Sequence, residues 1–511
     1  MAVAVVGSGP SGVAAASALL DRGEKVTLLD VGITLEASRT AVAQQMANLD
    51  PLEWTSEQTS YLFPKAARGG CVPRKLKLGS NYPYRDAAFH PPLINTTGLE
   101  PSFARGGLSS VWGAAVAPYR QSDVSDWPIA YESLAYGPVM QILGLHAEKS
   151  DISISRQAAS MWDTISKNGV RLGRAGIQAE LATVAIQTRD GDPQSHCKRC
   201  GMCLDGCPYG SIYDAARTLE KLRLNPSFSH IADFVVAQVH ETADDVTVRG
   251  FRRDAPDALS FSASRVLLAC GVVPTTTILL RSMAAYDRPV SILDSQYFLA
   301  PAVLLKSVPN VREERIHALS QLFVGLLDPK ISTRWVHLQI YSYSPWIGQA
   351  VASLLRGRVG RIDALARLIE QRSIVLQGYL HSDDSGQMLL ELTRRHGREE
   401  VLLAPRPNCE TRGMVRRVLY KLLWSAPALG AAVLPPMAKV ADVGRGFHCG
   451  GSFPMRKDPG CFESDTLGRP HGWTRVHAVD ATVLPSIPSR TITCSVMANA
   501  YRIAAEVAAL H

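Results

Sequence analysis

Hydrophobic positions along the first thirty residues predict a strand, a helix and a second strand. Residues 2–6 (AVAVV) form a short apolar run typical of a strand, and residues 13–23 (VAAASALLDRG) have helical composition, with Gly23 placed to end the helix. Residues 25–30 (KVTLLD) form a second apolar strand that closes at Asp30. This order is typical of an α/β unit.

A different pattern dominates the second half of the chain. Residues 334–343 (RWVHLQIYSY) alternate, with Val336, Leu338 and Ile340 on one face, which predicts a half-buried strand. Residues 373–382 (SIVLQGYLHS) and 387–392 (QMLLEL) are expected to be its partners in an antiparallel sheet. Residues 244–266 predict a β-hairpin that leads into a further strand.

Two segments in this half are apolar and basic, which is typical of amphipathic helices. They cover residues 344–372 and 412–440 and include Trp346 and Trp424. Such helices either lie on a membrane surface or pack on the sheet with a basic face toward water. We favour packing on the sheet, and peripheral contact with the inner face of a membrane stays open.

The turn after the first strand carries three glycines in G-x-G-x-x-G spacing, at Gly7, Gly9 and Gly12. Gly7 suits the tight turn, Gly9 lets the backbone approach a pyrophosphate, and Gly12 lets the helix pack closely on the strand. Asp30 follows Gly12 at about the sequence separation at which a carboxylate binds the ribose hydroxyls of a dinucleotide. The unit predicts dinucleotide binding.

Composition narrows the class of protein further. The 511 residues are 46% hydrophobic and 20% charged, with a net charge of +8 spread along the chain. Basic runs interleaved with aromatics are absent from the sequence, so a nucleic-acid partner is not expected. The sequence shows neither a signal peptide nor 18 uncharged apolar residues in a row, and we expect a cytoplasmic protein whose cysteines stay reduced.

Four cysteines lie close together in the middle of the chain, in C-x2-C-x2-C-x3-C-P spacing. They are Cys197, Cys200, Cys203 and Cys207. This spacing lets the thiolates of one loop reach the corners of a cubane, which predicts a [4Fe–4S] cluster. Zinc is the main alternative, although structural zinc sites usually separate two C-x2-C pairs by a dozen residues or more. Either Cys207 or a remote cysteine, such as Cys71 or Cys461, completes the cluster; we favour Cys207.

Five further stretches resemble the glucose–methanol–choline (GMC) family of FAD oxidoreductases. The resemblance covers both ends of the chain and the region around residues 265–282, about half of the residues. The stretches are RGGLSSVWGAAVAPY (105–119), DWPIAYESL (126–134), RVLLACGVVPTTTILLRS (265–282), GFHCGGSFPM (446–455) and VHAVDATVLPSIPSRTITCSVMANAYRIAAEVA (476–508).

The resemblance implies a bound FAD. Val111 and Trp112 occupy the neighbourhood in which some family members carry a histidine linked to the flavin, so we expect non-covalent FAD. Together with the glycine motif, the expected cofactor residues are Gly7, Gly9, Pro10, Ser11, Gly12, Asp30, Gly106, Gly107, Ser109, Ser110, Val111, Trp112, Gly113, Val236, Gly271, Asp480 and Ala481.

The resemblance also implies the catalytic residues. His448 stands where the family keeps its catalytic histidine, and the pKa of histidine suits removal of a hydroxyl proton at neutral pH. The family's second catalytic position, His or Asn, falls on Thr491, which is not an acid–base group at neutral pH. The adjacent Arg490 is a candidate to compensate. This departure leaves the partner of His448 open.

We therefore predict an α/β fold (α+β overall) with a Rossmann-like FAD-binding domain, an antiparallel-sheet substrate domain and a cysteine-rich insertion. The expected segments are an FAD-binding part (1–190), the iron–sulfur insertion (191–215), a second FAD-binding part (216–284), the substrate domain (285–440) and a C-terminal FAD-binding part with the catalytic histidine (441–511).

The expected activity is that of a dehydrogenase that oxidises a C–OH group to a carbonyl by hydride transfer to flavin. Electrons would leave through the [4Fe–4S] cluster to an external acceptor, a quinone or a one-electron carrier. The substrate would be a small-molecule or lipid-linked alcohol. Two alternatives stay open: an electron-transfer flavoprotein that reduces quinone, and a flavin-dependent reductase or isomerase that acts on a C=C bond.

Overall fold

The computed structural model describes residues 1–64, 75–84, 91–145, 153–187, 196–253, 255, 257–355 and 362–510. Its strands are β1 (Val3–Val6), β2 (Val26–Leu29), β3 (Leu93–Asn95), β4 (Ile177–Leu181), β5 (Phe228–Ile231), β6 (Phe234–Glu241), β7 (Val246–Arg252), β8 (Ala258–Ala263), β9 (Val266–Leu268), β10 (Val290–Asp294), β11 (Tyr297–Leu304), β12 (Leu322–Asp328), β13 (Ser332–Tyr341), β14 (Ser373–Tyr379), β15 (Gln387–Arg395), β16 (Arg398–Arg406), β17 (Ala431–Val433), β18 (Lys439–Val440), β19 (Cys449–Gly450) and β20 (Val476–Ala478).

Helices connect and cover these strands. They are α1 (Pro10–Leu20), α2 (Ala37–Ala47), α3 (Ser56–Leu62), α4 (Tyr136–Ile142), α5 (Arg156–Lys167), α6 (Gly169–Arg174), α7 (Ala215–Leu222), α8 (Val272–Ser282), α9 (Pro345–Leu355), α10 (Ile362–Glu370), α11 (Thr411–Trp424), α12 (Ala426–Leu429) and α13 (Ile492–Ala508).

The N-terminal strand–helix–strand unit is confirmed and belongs to a parallel sheet. Its strand order is β20-β9-β1-β2-β5, with Val3 opposite Val26 and Ala4 opposite Val266. Both faces of β1 and β2 are buried, which explains why these strands read as continuous apolar runs. Helix α1 packs against α13, so the two ends of the chain meet at one face of this sheet.

An antiparallel sheet forms the second layer, with strand order β17-β11-β14-β13-β12-β4 and β18 beside β11. Helices α5, α11 and α12 pack against the face that carries Val336, Leu338 and Ile340. The expected pairing of residues 334–343 with residues 373–382 is confirmed by the antiparallel ladder of β13 with β14. The predicted Rossmann-like sheet with an antiparallel-sheet partner is thus the observed fold class.

Two details of the sequence-based prediction are wrong. Strand β13 is buried on both faces, because its second face, with His337 and Gln339, is covered as well. Residues 387–392 do not join this sheet: β15 pairs with β10 and β16 in a separate sheet of order β19-β10-β15-β16-β3. Alternation specifies that a strand has two different faces, but not which strand it pairs with.

The predicted hairpin forms as expected, and the two amphipathic segments do so in part. Residues 344–372 contain α9 and α10, with residues 356–361 outside the described residues, whereas residues 412–440 contain α11 and α12 but continue into the short strands β17 and β18. The hairpin at residues 244–266 is the β7–β8 pair, which continues into β9. Helix α11 buries a stripe at Met414, Val418 and Leu422 against the antiparallel sheet, while Trp424 at its end is 81% exposed. Within the described ranges, no helix is both long and apolar enough to cross a membrane.

Candidate active site

Two adjoining cavities occupy the space between the parallel sheet and the antiparallel sheet. The glycine-loop cavity, of about 220 Å³, lies at the ends of β1, β2 and β9, and the sheet cavity, of about 370 Å³, lies against β11, β13 and β14. They are contiguous, because both are lined by Pro10, Leu108, Phe447, Ile492 and Thr493.

The glycine turn shapes the first cavity. Gly7 has φ of +102°, and a Cβ at this position would lie 2.6 Å from the carbonyl oxygen of Ala269. A Cβ on Gly12 would overlap the backbone of Gly7, so close packing of helix and strand requires this glycine. A Cβ on Gly9, by contrast, would meet nothing closer than 4.0 Å. Gly9 therefore borders open space at the N-terminus of α1, where an anionic group is favoured.

Two buried carboxyl groups stand at opposite sides of the glycine-loop cavity. The Ser8 hydroxyl donates to Asp30 (2.7 Å), and burial raises the pKa of Asp30 to about 6. Asp480 accepts hydrogen bonds from the Gly271 backbone N–H (2.8 Å) and the Thr275 hydroxyl (2.6 Å), while burial raises its pKa. Asp480 thereby ties the last strand of the parallel sheet to the start of α8.

Most of the predicted cofactor residues line one of the two cavities. The residues at the glycine-loop cavity are Gly7, Gly9, Pro10, Ser11, Asp30, Gly107, Val236, Gly271, Asp480 and Ala481. Those at the sheet cavity are Pro10, Ser109, Val111, Trp112 and Gly113. Three others support the walls from behind: Gly12, Gly106, whose N–H donates to Ser8 Oγ (3.0 Å), and Ser110, whose hydroxyl donates to the Gly107 carbonyl (2.9 Å).

One face of the antiparallel sheet forms the wall of the sheet cavity. Cross-strand ladders place Tyr297 opposite Tyr379, and Leu299 opposite Gln377, which is in turn opposite Gln339. All five side chains line the cavity. They lie on the face of the sheet that carries Gln339, which is the face of β13 opposite to Val336, Leu338 and Ile340.

His448 lies against this wall. Its ring stacks on Tyr379 with centroids 4.5 Å apart and an interplanar angle of 18°. Burial lowers the pKa of His448 to about 4, so the imidazole is neutral at pH 7, and its Nδ1 has no hydrogen-bond partner among the described residues. A neutral imidazole with a free ring nitrogen at a cavity is equipped to accept a proton.

Thr491 also lines the sheet cavity, but its side chain is engaged elsewhere. Its Oγ1 accepts a hydrogen bond from the Ala117 N–H (2.9 Å). Arg490 does not point its Nη groups at the cavity: Nη1 donates to the Pro118 carbonyl (2.9 Å) and Nη2 pairs with Glu180. The structure thus brings Thr491 and His448 to one cavity without a direct contact between them.

A short clamp holds the loop that carries His448. Asp294 accepts a hydrogen bond from the Gly444 N–H (2.7 Å), and the Ser295 N–H donates to the His448 carbonyl (2.8 Å). Asp294 is fully buried, and burial raises its pKa to about 7. Two consecutive residues therefore fix the two ends of residues 444–448.

Replacing Asp294 by alanine should misplace His448. The Gly444 N–H would lose its buried acceptor, at a cost of about 1–3 kcal/mol in the free energy of unfolding. Turnover should fall by about tenfold to a hundredfold, because small misplacements of a catalytic group are costly. Thermal unfolding and kcat measure the two effects. Asp294→Asn keeps an acceptor and should retain most of the activity; equal losses in both variants would contradict a positioning role.

The four cysteines form a half-buried loop at the edge of the sheet cavity. Gly201 and Gly206 have positive φ values (+75° and +113°), and the Ala318 N–H donates to Cys203 Sγ (3.4 Å). The thiols lie close enough that Cys197, Cys200 and Cys207 each contribute to the raised pKa of Cys203, for which burial is the largest cause. Leu204 and Asp205 of the same loop line the cavity.

The structure does not support the predicted cluster. Among the residues that the structure describes, no group of three or more His, Cys, Asp and Glu side chains is arranged to hold a metal ion. The thiols are nevertheless the right donor set, since four cysteines from one glycine-containing loop with an N–H···S contact are what an iron–sulfur cluster uses. Cys461 is exposed and accepts from Arg288 (3.3 Å), and Cys71 lies outside the described residues.

Sequence reasoning missed several residues of the sheet cavity. Gln339 and Tyr341 could have been found, because alternation places them on the face opposite to the apolar positions of β13. Gln377 and Tyr379 become neighbours only through strand pairing. Lys75 lines the cavity from a loop, where burial lowers its pKa to about 8, and nothing in the local sequence marks it.

Solved structures that share this architecture include a pyridoxine 4-oxidase and a formate oxidase. Pyridoxine 4-oxidase from Mesorbium loti has 14% identity, TM-score 0.61 and coverage of 100% of this chain and 99% of its own. Formate oxidase has 12% identity, TM-score 0.58 and coverage of 100% and 98%. A variant of Aspergillus oryzae RIB40 formate oxidase, described for its effect on FAD modification, has 13% identity and TM-score 0.57, with coverage of 100% and 98%.

The fold and the paired cavities define a protein with the architecture of these oxidases over its whole length. At 12–14% identity the likeness shows the shared fold. No protein-family model matches the sequence, and no curated protein matches it either.

Proposed function

We propose that this protein is an FAD-dependent oxidoreductase of the GMC type that acts on CH–OH groups. The observation that carries the proposal is the junction of the two cavities. The glycine-loop cavity, which suits a dinucleotide, adjoins the sheet cavity, which is lined by the half-buried and neutral His448. The sheet cavity is in the size range of small-molecule sites, which favours an enzyme over an electron-transfer flavoprotein without an alcohol substrate.

FAD fits the residues of the two cavities. The N-terminus of α1, open in front of Gly9, suits the pyrophosphate, and Asp30 suits the ribose hydroxyls. The loop with Val111 and Gly113 lines the sheet cavity where a flat ring requires close backbone approach, and we propose that FAD is held there without a covalent link. When bound, FAD supplies the hydride acceptor.

The chain's own residues supply the acid–base chemistry. His448, neutral because of its burial, takes the hydroxyl proton of the substrate. Tyr379 fixes the plane of the His448 ring by stacking. We propose a binding role for Thr491, because its Oγ1 accepts from Ala117 and its hydroxyl hydrogen has no acceptor among the described residues, so it can donate to a substrate oxygen.

The structural neighbours support a small-molecule alcohol as substrate. Pyridoxine 4-oxidase and formate oxidase are oxidases of small molecules by name and share the whole fold. A reductase or isomerase acting on a C=C bond is the second candidate. The flavin of such an enzyme would not be reduced by alcohols. The direct test is to mix the purified holoprotein with a panel of alcohols under anaerobic conditions and to follow bleaching of the flavin absorbance. Bleaching by an alcohol supports the proposal, and bleaching by none of them opposes it.

We also propose that Cys197, Cys200, Cys203 and Cys207 bind a [4Fe–4S] cluster. The four cysteines of one loop beside the sheet cavity, with the Ala318 N–H donating to Cys203 Sγ (3.4 Å), support this assignment. Among the described residues, however, the side chains are not arranged to hold a metal ion. A cluster at this place would accept electrons one at a time, which suits a dehydrogenase that uses a quinone or a one-electron carrier as its external acceptor.

Anaerobically purified protein should then contain about four irons and four acid-labile sulfides per chain. Dithionite should produce an EPR signal of a reduced cluster. Cys200→Ser should lower the iron content severalfold, whereas Cys409→Ser, a change at an exposed thiol outside the loop, should not. Zinc or no metal in the wild-type protein would make the loop a structural element and would favour dioxygen as the acceptor.

The five-segment domain organisation and peripheral membrane contact are also part of the proposal. An exposed apolar stripe on α10 at Leu365 and Leu368, together with the exposed Trp424, supports membrane contact. A lipid-linked alcohol would then be the substrate. Sedimentation with anionic vesicles tests this point, and protein that stays in the supernatant would oppose it.

A further inference from the structure

Lys75 brings a positive charge to the lining of the sheet cavity. Its side chain is half-buried, and its Nζ forms neither a hydrogen bond nor an ion pair with any residue that the structure describes. Burial lowers the pKa of Lys75 to about 8, so the ammonium group is mostly charged at pH 7. A half-buried cation without a partner loses part of its hydration and gains no interaction in return. An anion in the cavity would supply that interaction.

The other charged side chains of this lining do not neutralise Lys75. In the described structure they are Arg445 and Asp205, whose formal charges cancel each other. Asp205 favours the charged form of Lys75 from a distance, but it forms no ion pair with Nζ within 4.0 Å. His448 is neutral. The described lining therefore carries one positive charge in excess, and that charge faces the cavity.

The ammonium group of Lys75 lies beside the loop to which we assign the flavin ring. A Cβ placed on Gly113 would be 3.8 Å from Lys75 Nζ and 3.7 Å from the Tyr341 hydroxyl oxygen. Both distances are ordinary contacts, so a flat ring that packs on the Gly113 backbone takes the place of the missing side chain and contacts Nζ. The Tyr341 hydroxyl already donates to Gln339 Oε1 (2.8 Å), which leaves Lys75 as the free donor of the two.

The proposed reaction creates a negative charge at this place. Oxidation of a C–OH group to a carbonyl breaks the substrate C–H bond and moves the hydrogen with both electrons to flavin N5, while the hydroxyl proton goes to His448. The oxidised ring is neutral, so the reduced ring carries one negative charge. A cation that is already in position where charge develops stabilises the reduced ring and the transition state that leads to it.

We propose that Lys75 stabilises the negatively charged reduced form of the bound FAD and thereby raises its midpoint potential. The inference rests on the proposed function, because it requires FAD in the two cavities. Lys75 and His448 would then divide the work: the ammonium group compensates the charge of the hydride, and the imidazole, held against Tyr379, takes the proton. A carboxylate on the substrate is the competing anion for the same ammonium group, and the experiment below separates the two.

Sulfite is the probe, because it adds to flavin N5 and leaves a negative charge on the ring without substrate or turnover. Holoproteins with equal flavin and iron contents are titrated with sulfite, and their midpoint potentials are measured against a redox dye. Lys75→Met should bind sulfite at least about tenfold more weakly, with a two-electron potential lower by at least about 30 mV. Lys75→Arg keeps the charge and should stay near the wild type. Lys330→Met, which removes an exposed charge outside both cavities, should change neither value.

Three results would overturn the proposal: wild-type values in Lys75→Met, an equal loss in Lys75→Met and Lys75→Arg, or a wild-type holoprotein that forms no sulfite adduct. The last of these needs no variant, so the proposal stays testable if Lys75→Met does not fold. An unchanged potential with a raised KM for carboxylate-bearing alcohols alone would assign the ammonium group to the substrate instead. Flavin that binds but does not respond to Lys75 contradicts this inference only, whereas wild-type protein without flavin contradicts the proposed function.

Discussion

Replacing His448 by alanine should lower the rate of flavin reduction by an alcohol substrate about 10²- to 10⁴-fold. The variant loses the only imidazole that lines the sheet cavity in the described structure. Lys75 also lines this cavity, but with a pKa of about 8 it is mostly cationic at pH 7, so the hydroxyl proton would lose its neutral acceptor. Binding of FAD should persist, because the side chain of His448 does not line the glycine-loop cavity. Anaerobic stopped-flow measurement of flavin bleaching checks the expected rate.

His240→Ala is the matched control, since His240 is exposed on β6, and it should react at the wild-type rate. The pH profile offers a second check. Burial lowers the pKa of His448 to about 4, so the imidazole stays neutral, and the acid limb of kcat/KM should lie nearer pH 4 than pH 6.5. An unchanged rate in His448→Ala would show that the base is another group.

Replacing Gly9 by valine should abolish FAD binding without unfolding the protein. Gly9 has φ of −66° and ψ of 178°, which a β-branched residue adopts without strain, and its Cβ would meet nothing closer than 4.0 Å. The valine side chain would occupy the space in front of the α1 N-terminus that the pyrophosphate requires. The flavin-to-protein ratio should fall at least about tenfold, while the Tm of the flavin-free protein should stay near that of the flavin-free wild type.

Gly173→Ala serves as the control, because Gly173 in α6 is also free of neighbours within 4 Å and lies outside both cavities. Its flavin content should not change. Gly12→Val is expected to behave differently from both, since its side chain would overlap the backbone of Gly7 and destabilise the fold itself. Full flavin content in Gly9→Val would show that the dinucleotide does not approach the chain at this turn.

Local patterns in the sequence were enough to predict the elements that depend on neighbouring residues. The glycine turn, the strands on either side of it and the hairpin before β9 form as their composition indicates. Alternation along residues 334–343 specified two different faces of β13. It did not reveal that the polar face is buried, because that burial comes from residues 114–120 and 490–491, which are distant in the sequence.

Some of the candidate site could be assigned only from the tertiary structure. The Asp294 carboxylate accepts from the Gly444 N–H, and the Ser295 N–H donates to the His448 carbonyl. Both bonds use backbone groups of the His448 loop, and a backbone group leaves no mark in the identity of its residue. The same is true of Tyr379, whose ring supports His448. Strand β15 was assigned to the wrong sheet for a related reason, since its apolar residues suit either partner.

The sequence by itself determined the fold class, the dinucleotide turn and the cysteine loop, because each depends on residue types at short, fixed spacings. Only the tertiary structure decided which side chains surround His448, how Thr491 is used, and where Lys75 meets Gly113 and Tyr341. These groups come from strands and loops that are far apart along the chain. Their juxtaposition depends on register and packing across two sheets, which no local pattern of residues encodes.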